Sequence, residues 1–196
     1  MASFDDRLGE AIAGLRARGR WRELRPSALA PGGRVVRAGR SLVDFSSNDY
    51  LGLAGHPLLA ERAGEWARAY GAGSGASRLV TGTSDAHLAL EARIAAFKGT
   101  EAALVFASGW QANAAVIPAL LAAVPGMAVF ADRLVHASMH AGLGGVRQHR
   151  FRHNDLTHLA ELLERHGRQA PARLILVESV YSMDGDRADI LALAAL

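Results

Sequence analysis

The chain has 196 residues, half of them apolar, with 22 basic and 19 acidic side chains for a formal net charge of +3, and no cysteine. That is enough apolar material for one good core, and it excludes disulfides and thiolate metal sites. No apolar run is long enough to cross a bilayer, the N-terminus lacks a secretory pattern, and no basic stripe carries interleaved aromatics. Membrane insertion and nucleic-acid binding are therefore not expected, and a cytoplasmic location is.

In chain order, Phe4, Leu8, Ile12 and Leu15 recur at helical spacing over residues 3–20, and Pro26 stops that helix. Residues 34–37 and 41–45 read as a hairpin about the turn Ala38-Gly39-Arg40. A polar loop follows, Ser46-Ser47-Asn48-Asp49-Tyr50, and then a helix over residues 57–70 opened by Pro57. Residues 71–83 form a long Gly/Ser/Thr loop of the kind that is usually functional. Its glycines follow a helix rather than a strand, so it is not a dinucleotide fingerprint. A helix over residues 85–98 places Leu88, Leu90, Ile94 and Phe97 as its apolar contacts. Beyond it, strands at residues 127–131, 146–151 and 173–178 alternate with helices near 137–143 and 155–166. Repeated β-α-β with apolar strands predicts an α/β fold with a mainly parallel sheet covered on both faces.

The stretch that organises this pattern is Val105-Phe106-Ala107-Ser108-Gly109-Trp110-Gln111. It reads as a buried strand over residues 102–107, a turn, and a helix N-terminus. Ser108 is a candidate N-cap, and the N–H groups of Gly109, Trp110 and Gln111 would face an anion such as a phosphate. An ordinary strand–helix turn fits the same spacing. His136 follows a strand, where ligands bind in open α/β sheets, and reads either as a ring-stacking or proton-handling residue or as a cap of its turn. His149, His153, His158 and His166 read as surface positions. Asn154 and Asp155 read as the cap and first turn of a helix. Ser182 lies at another strand exit, and Asp184-Gly185-Asp186 reads as a turn rather than a calcium loop. His136 and His140 are four apart, but no third ligand stands at metal-site spacing, so no metal is expected. Lys98 is the only lysine.

Several motifs agree in order and spacing: Phe45-Ser46-Ser47-Asn48-Asp49-Tyr50-Leu51-Gly52, Gly73-Ser74-Gly75-Ala76-Ser77-Arg78, Ser108-Gly109-Trp110, Asp132-Arg133-Leu134-Val135-His136, His153-Asn154-Asp155 and Ser182-Met183-Asp184-Gly185-Asp186. Together they resemble the α-oxoamine synthases, pyridoxal-phosphate enzymes of the aspartate-aminotransferase fold type. The likeness runs from about Arg22 to the last residue. Within the family, the loop after Gly73 is most similar to the branch that serves biotin synthesis; a glycine-using member is the alternative.

The resemblance implies a decarboxylative condensation of L-alanine with a pimeloyl thioester on pyridoxal 5'-phosphate, in a homodimer. It implies that Gly109 and Trp110 hold the cofactor phosphate, that His136 stacks on the pyridine ring and contacts substrate, and that Ser182 hydrogen-bonds the cofactor. Arg22 matches a substrate-binding arginine and Asn48 an active-site asparagine. Residues 1–45 are then an N-terminal helix and hairpin segment, and residues 46–196 the first part of the cofactor-binding domain. The family's Schiff-base lysine has no counterpart here, since Lys98 aligns with a surface position. The sequence reads as cut off inside a domain and as inactive alone, with a non-catalytic binding remnant as the other expectation.

Overall fold

Helix α1 (Phe4–Ala17) starts at a reciprocal cap: Ser3 Oγ accepts from the Asp6 N–H at 3.1 Å, and the Asp6 carboxylate accepts from the Ser3 N–H at 2.8 Å. The computed structural model describes residues 2–196, and its contacts divide the chain after Gly82 into two units. In the first unit, β1 (Ala28–Ala30), β2 (Arg34–Arg37) and β3 (Arg40–Val43) form an antiparallel sheet in that order, with Val35 opposite Leu42. The hairpin turn is where expected, with Ala38 and Gly39 both at positive φ, as a tight two-residue connection demands. The third strand, β1, is too short to announce itself in the sequence. Helix α2 (Pro57–Tyr70) has Pro57 in its first turn, and the Gly/Ser/Thr loop ends in a π-helical turn, Arg78–Gly82. Neither α1 nor α2 buries a residue.

The second unit begins with α3 (Asp85–Lys98), whose buried residues are Glu91 and Ala95. Leu88, Leu90 and Phe97, expected as core contacts, are exposed. Residues 102–107 were expected to be a strand; they are irregular, with a bend at Ala107, and belong to neither sheet. The β-branched and aromatic residues favour an extended chain, but a strand also needs a hydrogen-bonding neighbour, and the described residues form no ladder with this one. One of its amides, Val105 N–H, donates instead to Glu91 Oε1 at 2.8 Å.

From there the alternation is regular. Helix α4 (Gly109–Ala123), β4 (Ala128–Asp132), α5 (Ala137–Gly142), β5 (Gln148–Phe151), α6 (Leu156–Leu162) extended by a wide turn (Leu163–Gly167), β6 (Arg173–Leu176) and α7 (Ile190–Ala194) follow in order. The sheet is parallel throughout and runs β5-β4-β6. Because β4 is central, its alternate side chains feed two cores, as the pleat requires. Val129 and Ala131 pack with Ile117, Val135, Leu143 and Leu176 against α4 and α5. Phe130 packs with Phe151, Leu159 and Leu163 on the α6 side. Helices on both faces of a parallel sheet are what the sequence predicted.

The second core ends in a ring stack. His149 lies on Phe130 with centroids 5.4 Å apart, and His166 lies on His149 at 4.1 Å. The two histidines are half-buried rather than on the surface as expected. Burial, then the charges of His166 and Arg147, hold the His149 imidazole below its ordinary value. The unfolded chain therefore takes up this proton first as pH falls. Stability from His149 is full above about pH 6.5 and declines below it. A His149→Phe variant, which keeps the stack without the charge, is expected to show a shallower fall in Tm from about pH 7.5 to pH 5.5 than wild type. Identical slopes in thermal melts would show that the stack does not titrate with folding.

Candidate functional site

In the β5-β4-β6 sheet the chain leaves β4 to one side for β5 and then crosses back to the other side for β6. The carboxyl end of β4 is thus a topological switch point, where connections diverge and leave a crevice. Three loops meet at that edge: residues 133–136 after β4, 152–155 after β5, and 177–189 after β6.

Asp132 ends β4 with no exposed surface. Its carboxylate accepts from Leu134 N–H at 2.8 Å, His153 Nδ1 at 2.9 Å and Asn154 N–H at 2.8 Å. Burial alone would raise its pKa; the amide donors of Leu134 and Asn154 and the His153 ring outweigh it and hold the carboxyl below its ordinary value. The carboxylate bond to Leu134 closes the turn that leads to His136.

His136 caps α5. Its Nδ1 accepts from the Ser138 N–H at 3.2 Å and lies 2.7 Å from Ser138 Oγ, which in turn receives the Asn113 amide at 2.9 Å. This relay, Asn113 to Ser138 to His136, leaves Nδ1 as the acceptor and puts the ring proton on Nε2. Asn113 belongs to α4 and His136 to the start of α5, so the relay joins the two helices. Gly142 lets them approach: a Cβ there would stand 2.6 Å from Asn113 O and 3.2 Å from Ile117 Cβ. The same approach brings the Trp110 indole edge-on to the His136 ring, with centroids 6.0 Å apart and planes at 80°.

At the N-terminus of α4, Ser108 Oγ accepts from the Gln111 N–H at 3.2 Å. This corrects one expectation: the Gln111 N–H is taken by the cap. The N–H groups of Gly109 and Trp110 make no hydrogen bond among the described residues, and nothing lies within 4 Å of where a Gly109 Cβ would be. Trp110 is half exposed and Gly109 exposed, so the corner is open to a ligand. The clefts near Leu29 and Tyr50 in the first unit and beside Phe151 and Leu193 in the second do not include it.

The structure therefore brings Gly109, Trp110 and His136 together. Ser182 lies on the loop after β6, at the same sheet edge, exposed. Arg22 and Asn48 lie on exposed irregular chain of the first unit. Lys98 ends α3, exposed, with Nζ 5.4 Å from the centroid of the Phe97 ring.

His153, Asn154 and Asp186 were not expected to matter. His153 is half-buried, not superficial, with Nε2 2.8 Å from Asp186 Oδ2. Asn154 holds φ of 53° and gives its amide to the same Asp186 oxygen at 2.7 Å. Asp155 alone caps α6, accepting from His158 N–H at 2.8 Å. The signal in the sequence was present, since His153-Asn154-Asp155 and Asp184-Gly185-Asp186 both follow strands, but nothing linear links residues 33 apart.

The aminotransferase class I and II profile matches residues 40–196. An 8-amino-7-oxononanoate synthase of Gluconacetobacter diazotrophicus is 61% identical over 169 residues, covering 83% of this chain and 42% of that protein. One of Geobacter sulfurreducens is 53% identical over 195 residues, covering 96% of this chain and 49% of that protein. Among solved structures, a serine palmitoyltransferase from S. paucimobilis with bound PLP–myriocin aldimine superposes with a TM-score of 0.82 at 30% identity, over 97% of this chain and 50% of that one. An 8-amino-7-oxononanoate synthase from Francisella tularensis gives 0.62 at 27% identity, over 78% and 41%. The chain spans about half the length of the curated relatives it matches.

The close approach of α4 and α5 makes a direct prediction. Gly142→Ala is expected to destabilise the second unit by roughly 1–3 kcal/mol, because the methyl group meets backbone rather than a flexible side chain. It should also separate Trp110 from His136. Urea unfolding and the Trp110 emission spectrum would test both effects, and an unperturbed midpoint would refute the packing argument.

Proposed function

The chain belongs to the aminotransferase class I and II family, its sheet is part of the aspartate-aminotransferase-like fold, and from that premise we propose that it carries the phosphate-and-ring side of an 8-amino-7-oxononanoate synthase site. The family's cofactor is pyridoxal phosphate. The residues fit it. Two N–H groups at the start of a fifteen-residue helix have no hydrogen-bond partner among the described residues, Gly109 leaves room for a phosphate, and two flat rings stand beside them.

The contact of Trp110 with His136 beside those amides is the observation that carries the reading. In it, Gly109 and Trp110 donate main-chain N–H groups to the phosphate. The relay from Asn113 through Ser138 fixes the His136 ring so that its face meets the pyridine and its Nε2 proton is available to substrate. Ser182 donates a hydroxyl hydrogen bond to the cofactor. Arg22 pairs with a substrate carboxylate, and Asn48 contacts substrate. Pyridoxal phosphate, when bound, supplies an electron sink for the α-carbon of L-alanine. That carbon is joined to the acyl carbon of a pimeloyl thioester; the alanine carboxylate leaves as CO2 and the thiol is released.

Covalent attachment of the cofactor needs an amine. Lys98 is exposed at the end of α3 beside Phe97, which supports a surface role. We therefore read residues 1–196 alone as able to bind the cofactor non-covalently and unable to turn over. A homodimeric assembly and a cytoplasmic location belong to the same reading; no helix among the described residues is long and apolar enough to cross a membrane.

Titration of the chain with pyridoxal phosphate is expected to quench Trp110 emission, and the change should vanish in Trp110→Phe while Trp21 and Trp66 remain. Inorganic phosphate should compete. His136→Ala should weaken binding by roughly tenfold, the scale of one lost aromatic contact. Absence of phosphate-competable quenching, or turnover of L-alanine and pimeloyl-CoA by residues 1–196 alone, would overturn the reading.

A further inference from the structure

We propose that His153 is a positioning residue: an imidazolium held between Asp132 and Asp186 ties the loop after β6, and with it Ser182, to the carboxyl end of β4. The proposal rests on the reading of Ser182 as a cofactor contact.

The geometry is specific. His153 Nδ1 is 2.9 Å from Asp132 Oδ1, and Nε2 is 2.8 Å from Asp186 Oδ2. An ionised carboxylate only accepts, so both ring nitrogens must carry protons for both bonds to exist. A neutral ring can serve one carboxylate and must leave the other. The carboxylates favour the charged form, against a burial that opposes it. Asp132 faces it from β4. Asp186 and Asp184 face it from the loop, with a ring nitrogen of His153 and a carboxylate oxygen of each of these two aspartates all within 4.8 Å of one another. The Tyr181 ring meets it edge-on at 4.5 Å, and the Asn154 amide lies 3.5 Å from Nε2. The adjacent cation, Arg152, is turned away to Asp155 at 2.7 Å, and His158 on α6 accepts the Arg152 N–H at 3.0 Å rather than facing the ring. The bond to Asp132 foremost, and then that to Asp186, raises the His153 pKa above its ordinary value.

The loop is built to be held at this point. Tyr181 N–H donates to Asp186 O and Gly185 N–H to Tyr181 O, both at 2.9 Å, closing residues 181–186 into a tight ring that contains Ser182. Tyr181 anchors the ring from below, 1% exposed in the first core. Burial and the Asp132 charge keep its phenol protonated. What remains free is the tilt of the ring, which the imidazolium sets together with the Asn154 amide that donates to the same Asp186 oxygen at 2.7 Å and to Arg187 O at 3.2 Å. Loss of the His153 proton releases Asp186 rather than Asp132, because Asp132 has no exposed surface on which water could replace the imidazole, whereas the Asp186 side chain is 42% exposed.

The test is amide exchange in the full chain, corrected for intrinsic chemistry, read at Tyr181 and Gly185. Wild-type protection there should fall roughly tenfold between about pH 6 and pH 9, the loss of one charge-assisted bond, while β4 amides hold. His153→Gln should show the low value at both pH values. Pyridoxal phosphate should bind His153→Gln several-fold more weakly, with inorganic phosphate unaffected at Gly109 and Trp110. Where His153→Gln does not fold, Asp186→Asn, which keeps an oxygen acceptor, should likewise abolish the pH dependence. Protection that is flat with pH in wild type overturns the clasp. Looser exchange with unchanged pyridoxal phosphate affinity overturns its link to Ser182. Failure of wild type to bind pyridoxal phosphate overturns the cofactor reading and the Ser182 assignment together, and the exchange result then decides the clasp alone.

Discussion

A carboxylate with no exposed surface, at the end of the central strand, is the constraint on which the second unit depends. Burying Asp132 costs several kcal/mol unless every lone pair finds a donor. Two of its donors are backbone amides, from Leu134 and Asn154, and these belong to the loops after β4 and β5. A third is His153, which reaches on to the loop after β6. Satisfying one charge therefore fixes three chain segments that share nothing in sequence. A hydrophobic residue at position 132 would pack well enough and specify none of this. Asn154 accepts a left-handed backbone for the same purpose, since its N–H and its side chain must serve two aspartates at once.

The second constraint is steric. Helices α4 and α5 can bring Trp110 against His136 only because Gly142 has no side chain. The relay from Asn113 to Ser138 to His136 then turns proximity into orientation. Ser138 is buried and polar at the centre of this contact. Its hydroxyl has a donor on one side and an acceptor on the other, so nothing there is left unsatisfied.

Much of this was legible in the chain. Apolar, β-branched runs with helical spacing between them gave β4, β5 and β6 and their parallel pairing, and Ala38-Gly39 gave the hairpin. Ser108 was a recognisable cap because capping needs only a short polar side chain at the right offset, while the cap of α6 is Asp155, one residue beyond the expected Asn154. The motifs carried Gly109, Trp110 and His136 to one corner before any coordinates. The failures share a cause. Residues 102–107 have strand chemistry, but pairing depends on a neighbour that composition does not reveal. In α3 Leu90 and Phe97 share one face, seven residues apart, with Leu88 on the opposite side, and the structure buries Glu91 and Ala95 on the face between them instead. The four histidines looked superficial because imidazole is polar; His149 stacks on Phe130, His166 stacks on His149, and His153 bridges two aspartates.

The division of labour at the switch point follows from these two constraints. On the α4–α5 side, small residues and neutral hydrogen bonds set the distance between a helix N-terminus and an imidazole. On the β5–β6 side, buried charge sets the position of a loop. The relay runs between two packed helices through a buried serine, whereas the imidazolium bridge holds an exposed loop. The phosphate-facing half of the corner should therefore be a fixed scaffold, and the Ser182 half an adjustable one. Both halves hang from β4, whose Asp132 is shared, so the adjustable side cannot shift without reference to the fixed one.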